Sequence, residues 1–198
     1  PSGVIYLDLN IIVFNQPKKH SQRNGLKKLK ENKMREETKY IVIHCSQTRP
    51  SQDIDAKTID RWHRENGWLK IGYGKVIKRD GTVEQGRGDD EVQAHVKGYN
   101  HCSYGICLVG GAKEEDWKQE DDNFTGEQFE SLKKLLEELL IKYPDAQIVG
   151  HRDLDESKFC PSFSVRTYLL NEDIKGYKFQ DGLTTDADLQ ELEHNGNE

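Results

Sequence analysis

Short apolar runs are spaced along the chain between polar segments, and most of them predict β-strands. The β-branched run YIVIHCS at 40–46 is typical of a buried strand, as is SYGICLVGG at 103–111, which glycines close. A third run, QIVGHRD at 147–153, predicts the last strand. The segment KVIKRDGTVEQ at 75–85 predicts two short antiparallel strands around an Asp-Gly turn.

Other segments repeat their apolar residues at the spacing of a helix. Ile59 and Trp62 fall on one face of a first predicted helix. Asp53 or Asp55 can cap its start, and Gly67 ends it.

A second, longer helix is predicted from a capping box formed by Thr125 and Gln128. It carries a continuous apolar stripe and ends before Pro144. The stripe consists of Phe129, Leu132, Leu136, Leu139 and Tyr143. Strands separated by helices, with one hairpin, indicate the α/β class: a single domain with a central mixed β-sheet and helices on both faces.

Length and composition fit one domain. The 198 residues, 34% apolar and 32% charged, are enough for one domain with a core. The formal net charge of −6 argues against direct binding of nucleic acid, because phosphate contacts need clustered Lys and Arg. The four cysteines form no CxxC pair and are too sparse for a disulfide framework, so reduced thiols are expected.

Charge divides the chain into three parts. Residues 1–33 hold seven Lys or Arg against two acids, and residues 171–198 hold eight acids against two Lys. We therefore predict a folded domain at 34–170 between a basic extension and an acidic tail. The extension precedes Met34, the only methionine, so one hypothesis is a translated leader or a cloning remnant; the alternative is an ordinary basic arm.

No membrane segment or signal peptide is expected. The longest apolar stretch, VIYLDLNIIVF at 4–14, contains Asp8 and is too short to span a bilayer. No small-residue cleavage site follows it. The chain is therefore expected in the cytoplasm of the cell that makes it.

Two histidines have the same local setting. His44 and His151 each lie at or near the C-terminal end of a predicted strand, where side chains of different strands converge. Cys160, in the loop that leaves His151, can supply a third ligand and leave one position of a tetrahedral zinc open. On spacing alone, ordinary strand-end and loop residues remain the favoured interpretation, because the three form no compact ligand motif.

The other cysteines are expected to be structural. Cys45 directly follows His44 in a strand, so the two side chains point to opposite faces and cannot bind one ion. Cys107 is expected to be a core thiol, and Cys102 a partly exposed loop residue.

Six blocks occur in order between residue 40 and about residue 170: HCSQTRPSQ, RWHRENGWLKIGY, VIKRDGTVEQGR, AHVKGYNHCSYGICLVGG, NFTGEQFESL and KFCPSF. Together they resemble the type-2 N-acetylmuramoyl-L-alanine amidases, a family that includes the peptidoglycan recognition proteins, and they are most similar to its phage members. The resemblance implies three zinc ligands, at His44, His151 and Cys160. It also implies catalytic roles for Tyr73 and Lys158.

The resemblance extends to the substrate groove. The block AHVKGYN implies substrate-binding roles for His95 and Asn100, and His63 is assigned beside them, whereas Trp62 is expected to pack in the core. One position departs from the family pattern, which has a histidine after the tyrosine where this chain has Gly74. A glycine there is expected to loosen the strand.

The function implied by the resemblance is zinc-dependent hydrolysis of the amide between N-acetylmuramic acid and L-alanine in peptidoglycan. A phage endolysin with this activity would be made in the host cytoplasm and act on the cell wall after release. Two alternatives follow from the same resemblance: an additional or principal role as an inhibitor that binds a phage-type RNA polymerase, and a weakly active peptidoglycan binder because of Gly74. A monomer is expected, without membrane association.

Overall fold

A five-stranded sheet forms the centre of the protein. The computed structural model describes residues 33–179, so nearly all of the basic extension and most of the acidic tail lie outside the described residues. The strands are β1 (Tyr40–Cys45), β2 (Lys75–Ile77), β3 (Val83–Gln85), β4 (Ser103–Leu108) and β5 (Gln147–Gly150). Their order in the sheet is β3-β2-β4-β1-β5, which places β1 between β4 and β5.

The sheet is mixed, as predicted. Strand β1 runs parallel to both β4 and β5, and β2 runs parallel to β4. Only β3 is antiparallel to its neighbour, because it forms the hairpin with β2 across the Asp-Gly turn. The C-terminal ends of β1, β4 and β5 therefore meet at one edge.

Within residues 33–179, four helices connect and cover the strands. They are α1 (Ala56–Glu65), α2 (Gly126–Lys142), α3 (His151–Leu154) and α4 (Val165–Asn171). The side chain of Asp55 caps α1, and the capping box predicted for α2 is present. Among the described residues, no helix is both long and apolar enough to cross a membrane.

The two faces of the sheet carry separate cores. On one face, Ile59 of α1 packs with Val76 and Cys107, and Trp62 lies against this cluster. The opposite face is covered by α2 and α4, and its larger core includes Leu132 among its fully buried residues. Helices thus cover both faces, which confirms the predicted α/β architecture.

The structure differs from the sequence predictions around the last strand. Strand β5 ends at Gly150 rather than at residue 153, and the chain turns at once into α3, because the side chain of Asp153 accepts a hydrogen bond from the Gly150 N–H. Helix α4 lies beyond the predicted elements. Cys102 is buried, with 5% of its surface exposed, and not partly exposed as expected, since it lies where the chain enters β4.

Candidate metal centre

The register of the parallel strands brings the two strand-end histidines together. Gly150, the last residue of β5, pairs with Ile43 of β1. His151 and His44 follow these two residues directly, so they lie at the same edge of the sheet, with ring centroids 4.6 Å apart. His44 is almost fully buried, with 1% exposed, whereas His151 is half-buried.

Cys160 reaches the same point from the loop after α3. Its Sγ lies 3.6 Å from His44 Nδ1 and accepts a hydrogen bond from the Cys45 backbone N–H at 3.2 Å. Its carbonyl accepts from the Arg152 N–H at 2.9 Å, which fixes the loop that carries it. Ligand atoms of His44, His151 and Cys160 all lie within 4.8 Å of one another.

This donor set fits a zinc ion. In a tetrahedral site with bonds of about 2.0–2.3 Å, ligand atoms stand about 3.3–3.8 Å apart, and the His44–Cys160 separation of 3.6 Å is in that range. Two imidazoles and one thiolate are a normal ligand set for a catalytic zinc with an open fourth position. Cys45 is outside the group, and its Sγ lies 3.5 Å from Ser162 Oγ.

The protonation states of the free site suit two neutral imidazoles and one thiol. Burial lowers the pKa of His44 well below its ordinary value, and the imidazoles of His95 and His151 lower it further. Burial also lowers the pKa of His151, with Lys158 acting in the same direction and Asp155 opposing. Burial raises the pKa of the Cys160 thiol well above its ordinary value.

Tyr73 stands beside this group on the α1 side of the sheet. Its ring centroid lies 5.1 Å from that of His44. Burial raises the pKa of its hydroxyl well above the ordinary value, and the thiols of Cys107 and Cys160 raise it further. At neutral pH the residue is therefore an uncharged phenol that can donate a hydrogen bond.

Lys158 lies in the loop between His151 and Cys160. Its side chain is half-buried, and its backbone N–H donates to the Asp155 carbonyl at 3.0 Å. Its ammonium group is close enough to His151 to lower the pKa of that imidazole. The structure therefore brings all five predicted metal and catalytic residues to one edge of the sheet.

The predicted substrate residue His63 is embedded in the protein. It is buried, with 7% exposed, and its ring packs on Trp68 with centroids 4.4 Å apart. Its Nδ1 accepts the Gly72 N–H at 2.9 Å, so it fixes the turn directly before Tyr73. Burial, and then the positive charge of Arg87, lower the pKa of His63 to about 4, which leaves the ring free to accept.

Asn100 is likewise occupied within its own loop. Its side-chain oxygen accepts the backbone N–H groups of His95 and Val96 at 2.8 and 2.9 Å. His95 itself lies 2.8 Å from His44, between Nδ1 and Nε2 respectively. Burial lowers the pKa of His95 to about 3. The roles of all three residues in substrate binding stay predictions.

Some supporting residues were not predicted from the sequence. Arg87 holds the segment around Tyr73, because its side chain donates to the Ile71 carbonyl at 2.6 Å and its backbone N–H donates to the Tyr73 carbonyl at 2.8 Å. Gly105 lies under the ring of His95. A glycine inside an apolar strand is a signal of close approach by another group, and it was available in SYGICLVGG.

The sequence profile of one family matches most of this domain. The profile of the N-acetylmuramoyl-L-alanine amidases matches residues 34–163, which include every predicted metal and catalytic residue. The endolysin of Escherichia phage T7 is 48% identical to this chain over 136 residues, which are 69% of this chain and 88% of that protein.

Solved structures show the same relationship. The N-acetylmuramoyl-L-alanine amidase LysC from Clostridium intestinale superposes with a TM-score of 0.59 at 28% identity, over 70% of this chain and 87% of that chain. A variant of Drosophila PGRP-LB, solved in complex with tracheal cytotoxin, has a TM-score of 0.56 at 25% identity, over 72% of this chain and 85% of that chain.

Proposed function

Because this chain belongs to the N-acetylmuramoyl-L-alanine amidase family, we propose that it is a zinc-dependent phage endolysin that cuts the amide between N-acetylmuramic acid and L-alanine. The observation that carries the zinc dependence is the convergence of His44, His151 and Cys160 within 4.8 Å. The relatives at 44–48% identity are endolysins of phages, which supports the cell wall as the place of action after release.

His44, His151 and Cys160 would hold the zinc. A zinc ion in such a site lowers the pKa of a bound water toward neutrality and polarises a carbonyl group. Other groups of the protein support this site. The backbone N–H of Cys45 would stabilise the Cys160 thiolate, because it donates a hydrogen bond to Sγ.

Lys158 would stabilise the charge that develops on the carbonyl oxygen of the scissile amide. Its positive charge already acts at the site, where it helps to lower the pKa of His151, and such a charge favours the tetrahedral intermediate over the planar amide. Tyr73, held as an uncharged phenol, would donate a hydrogen bond to the attacking water or to the scissile carbonyl. This hydrogen bond would fix the orientation of the group that accepts it.

The test is product analysis of purified sacculi after digestion. We expect free L-alanine amino termini on intact glycan strands, and their formation should stop when a chelator is added. New reducing sugars would instead indicate a glycosidase. Binding to sacculi without either product would support the weakly active binder that Gly74 suggests.

Three further expectations remain proposals. The resemblance implies a role in binding a phage-type RNA polymerase, and such binding should survive His44→Ala, which removes a metal ligand. A monomer is proposed, and it can be checked by light scattering. The boundaries of the folded domain at residues 34 and 170 can be checked by limited proteolysis followed by mass spectrometry.

A further inference from the structure

A chain of hydrogen bonds leads from the metal centre into the protein interior through His95. The Nε2 atom of His44 lies 2.8 Å from His95 Nδ1, and His95 Nε2 lies 3.2 Å from Ser103 Oγ. Ser103 Oγ in turn donates to the Tyr99 carbonyl at 2.8 Å. Each ring nitrogen of His95 therefore has a partner inside the protein.

If a metal binds at one atom of His44, the donor and the acceptor of each hydrogen bond in this series are determined. His44 Nδ1 is the nitrogen that faces Cys160, so it is the one available to a metal and carries no hydrogen. The hydrogen of neutral His44 then sits on Nε2 and is donated to His95 Nδ1. His95 consequently carries its own hydrogen on Nε2 and donates it to Ser103, which ends the chain at a backbone carbonyl.

The surroundings of His95 are shaped to hold its ring in this position. Asn100 fixes the backbone at His95, because its side-chain oxygen accepts the N–H groups of residues 95 and 96. A Cβ atom at Gly105 would lie 2.7 Å from His95 Cγ and 2.8 Å from Nδ1. Only a glycine at this point of β4 leaves room for the ring over the strand. The Gly105 N–H is taken up by the Gln93 side chain at 2.7 Å.

We propose that His95 is a positioning residue for the metal ligand His44, and that Ser103, Asn100 and Gly105 hold it in that role. The proposal rests on zinc binding at His44. It differs from the substrate-binding role that the sequence resemblance implies, because a ring with both nitrogens engaged within the protein has none left for substrate. Partners of this kind fix the tautomer of a metal-bound histidine and increase its basicity.

Zinc affinity and KM separate the two roles. His95→Phe keeps a ring of similar shape but removes the acceptor, so zinc affinity, measured by competition with a chromophoric chelator, should fall about 10- to 100-fold. KM for peptidoglycan fragments, measured with zinc in excess, should stay close to that of the parent. His95→Asn restores an acceptor near the position of Nδ1 and should recover part of the affinity.

Ser103→Ala provides a milder change at the far end of the chain and should weaken zinc binding in the same direction. His101→Phe is the matched control, because His101 is exposed in the same segment and should leave zinc affinity unchanged. An unchanged zinc affinity in His95→Phe and Ser103→Ala together with a raised KM would overturn the proposal in favour of substrate contact.

Nitrogen-15 NMR of the histidine rings tests the same chain without any activity measurement. In the zinc-loaded protein, both His44 and His95 should carry hydrogen on Nε2 and none on Nδ1. A hydrogen on His95 Nδ1 would contradict the proposal. Failure of zinc to bind the unaltered protein at all would instead count against the proposed function.

Discussion

Gly74 follows Tyr73 directly and leaves space for a neighbouring aromatic ring. A Cβ atom there would lie 2.7 Å from Tyr104 Cζ and 2.4 Å from Gln93 Nε2. Tyr104 is fully buried, and its hydroxyl donates to Asp89 at 2.8 Å. A histidine at position 74, as in the family pattern, would occupy the space that the Tyr104 ring fills here. Gly74 therefore makes room for Tyr104, which packs in the core beneath α2.

The backbone of Gly74, which was expected to loosen the strand, makes hydrogen bonds through both its N–H and its carbonyl. Its N–H donates to the Gly105 carbonyl at 2.9 Å, and its carbonyl accepts the Gly86 N–H at 2.8 Å. The backbone beside Tyr73 is therefore held on both sides despite the missing side chain.

Gly74→Ala should destabilise the protein by about 1–3 kcal/mol, because the added methyl group overlaps a buried ring in a packed core. Urea unfolding measures the change. Gly126→Ala is the matched control: a Cβ at this position in the first turn of α2 meets nothing within 4 Å, so its effect should be neutral or stabilising. Equal effects of the two substitutions would contradict the packing explanation.

Lys158→Met should reduce kcat about 100- to 1000-fold, because it removes a donor to the developing oxyanion while keeping the length of the side chain. Zinc content, measured by atomic absorption, should remain that of the parent. Lys134→Met, on the exposed surface of α2, serves as the control. A loss below tenfold would remove Lys158 from the proposed mechanism.

Among the elements, α2 is hydrogen-bonded to the ends of two strands through the buried side chain of Gln128. Gln128 donates through Nε2 to the carbonyls of Ile77 and Val109 at 3.1 and 2.9 Å, and its side-chain oxygen accepts the Thr125 N–H at 3.1 Å. Gln128 therefore helps to cap its own helix and also donates hydrogen bonds to backbone carbonyls at the ends of β2 and β4.

Gln128→Met should lower the free energy of unfolding by about 2–5 kcal/mol, because the Val109 carbonyl and the Thr125 N–H lose a partner at about 1–3 kcal/mol each. Chemical denaturation monitored by circular dichroism gives the value. Glu130→Met makes a similar change on the exposed side of α2 and should have little effect. A comparable loss in Glu130→Met would point to helix propensity instead.

The elements that could be predicted are those with strong local signals. The capping box at Thr125, the Asp-Gly turn and the β-branched run at 40–46 depend on neighbours in sequence, and each predicted element is present. Helix α3 was missed because a single turn is too short to show a helical period, and it depends on the Asp153 side chain. Burial of Cys102 depends on tertiary contacts that no local pattern encodes.

Only part of the candidate site could likewise be predicted from the sequence. The three ligand candidates could be named from strand ends and from the family resemblance. The chain through His95 and Ser103 could not, because it depends on the register between β1 and β4 and on the fold of the loop before β4.

Across the whole molecule, folding prepares a site whose protonation is set largely by burial. The pKa values of His44 and His151 are lowered by burial, so both imidazoles are mainly neutral at pH 7. The pKa of Cys160 is raised, so its thiol still carries a proton there. A zinc ion would bind the thiolate, and its binding would therefore displace this proton.

Zinc binding at pH 7 should release between one and two protons per ion, because Cys160 has to deprotonate and a zinc-bound water, with a pKa of about 7, is partly ionised at this pH. Apparent affinity should accordingly rise at least about tenfold per pH unit near pH 7. Calorimetry in buffers of different ionisation enthalpy measures the number. Release of no proton would contradict the assigned protonation states.

Under the proposed function, one zinc held by His44, His151 and Cys160 is required for cleavage of the amide. The most direct measurement titrates zinc into metal-free protein and follows the release of L-alanine amino termini from sacculi. Activity should rise linearly and stop at one zinc per chain, and Cys160→Ala should stay inactive at the same zinc concentrations. Full activity in the metal-free protein, or in Cys160→Ala, would contradict the claim.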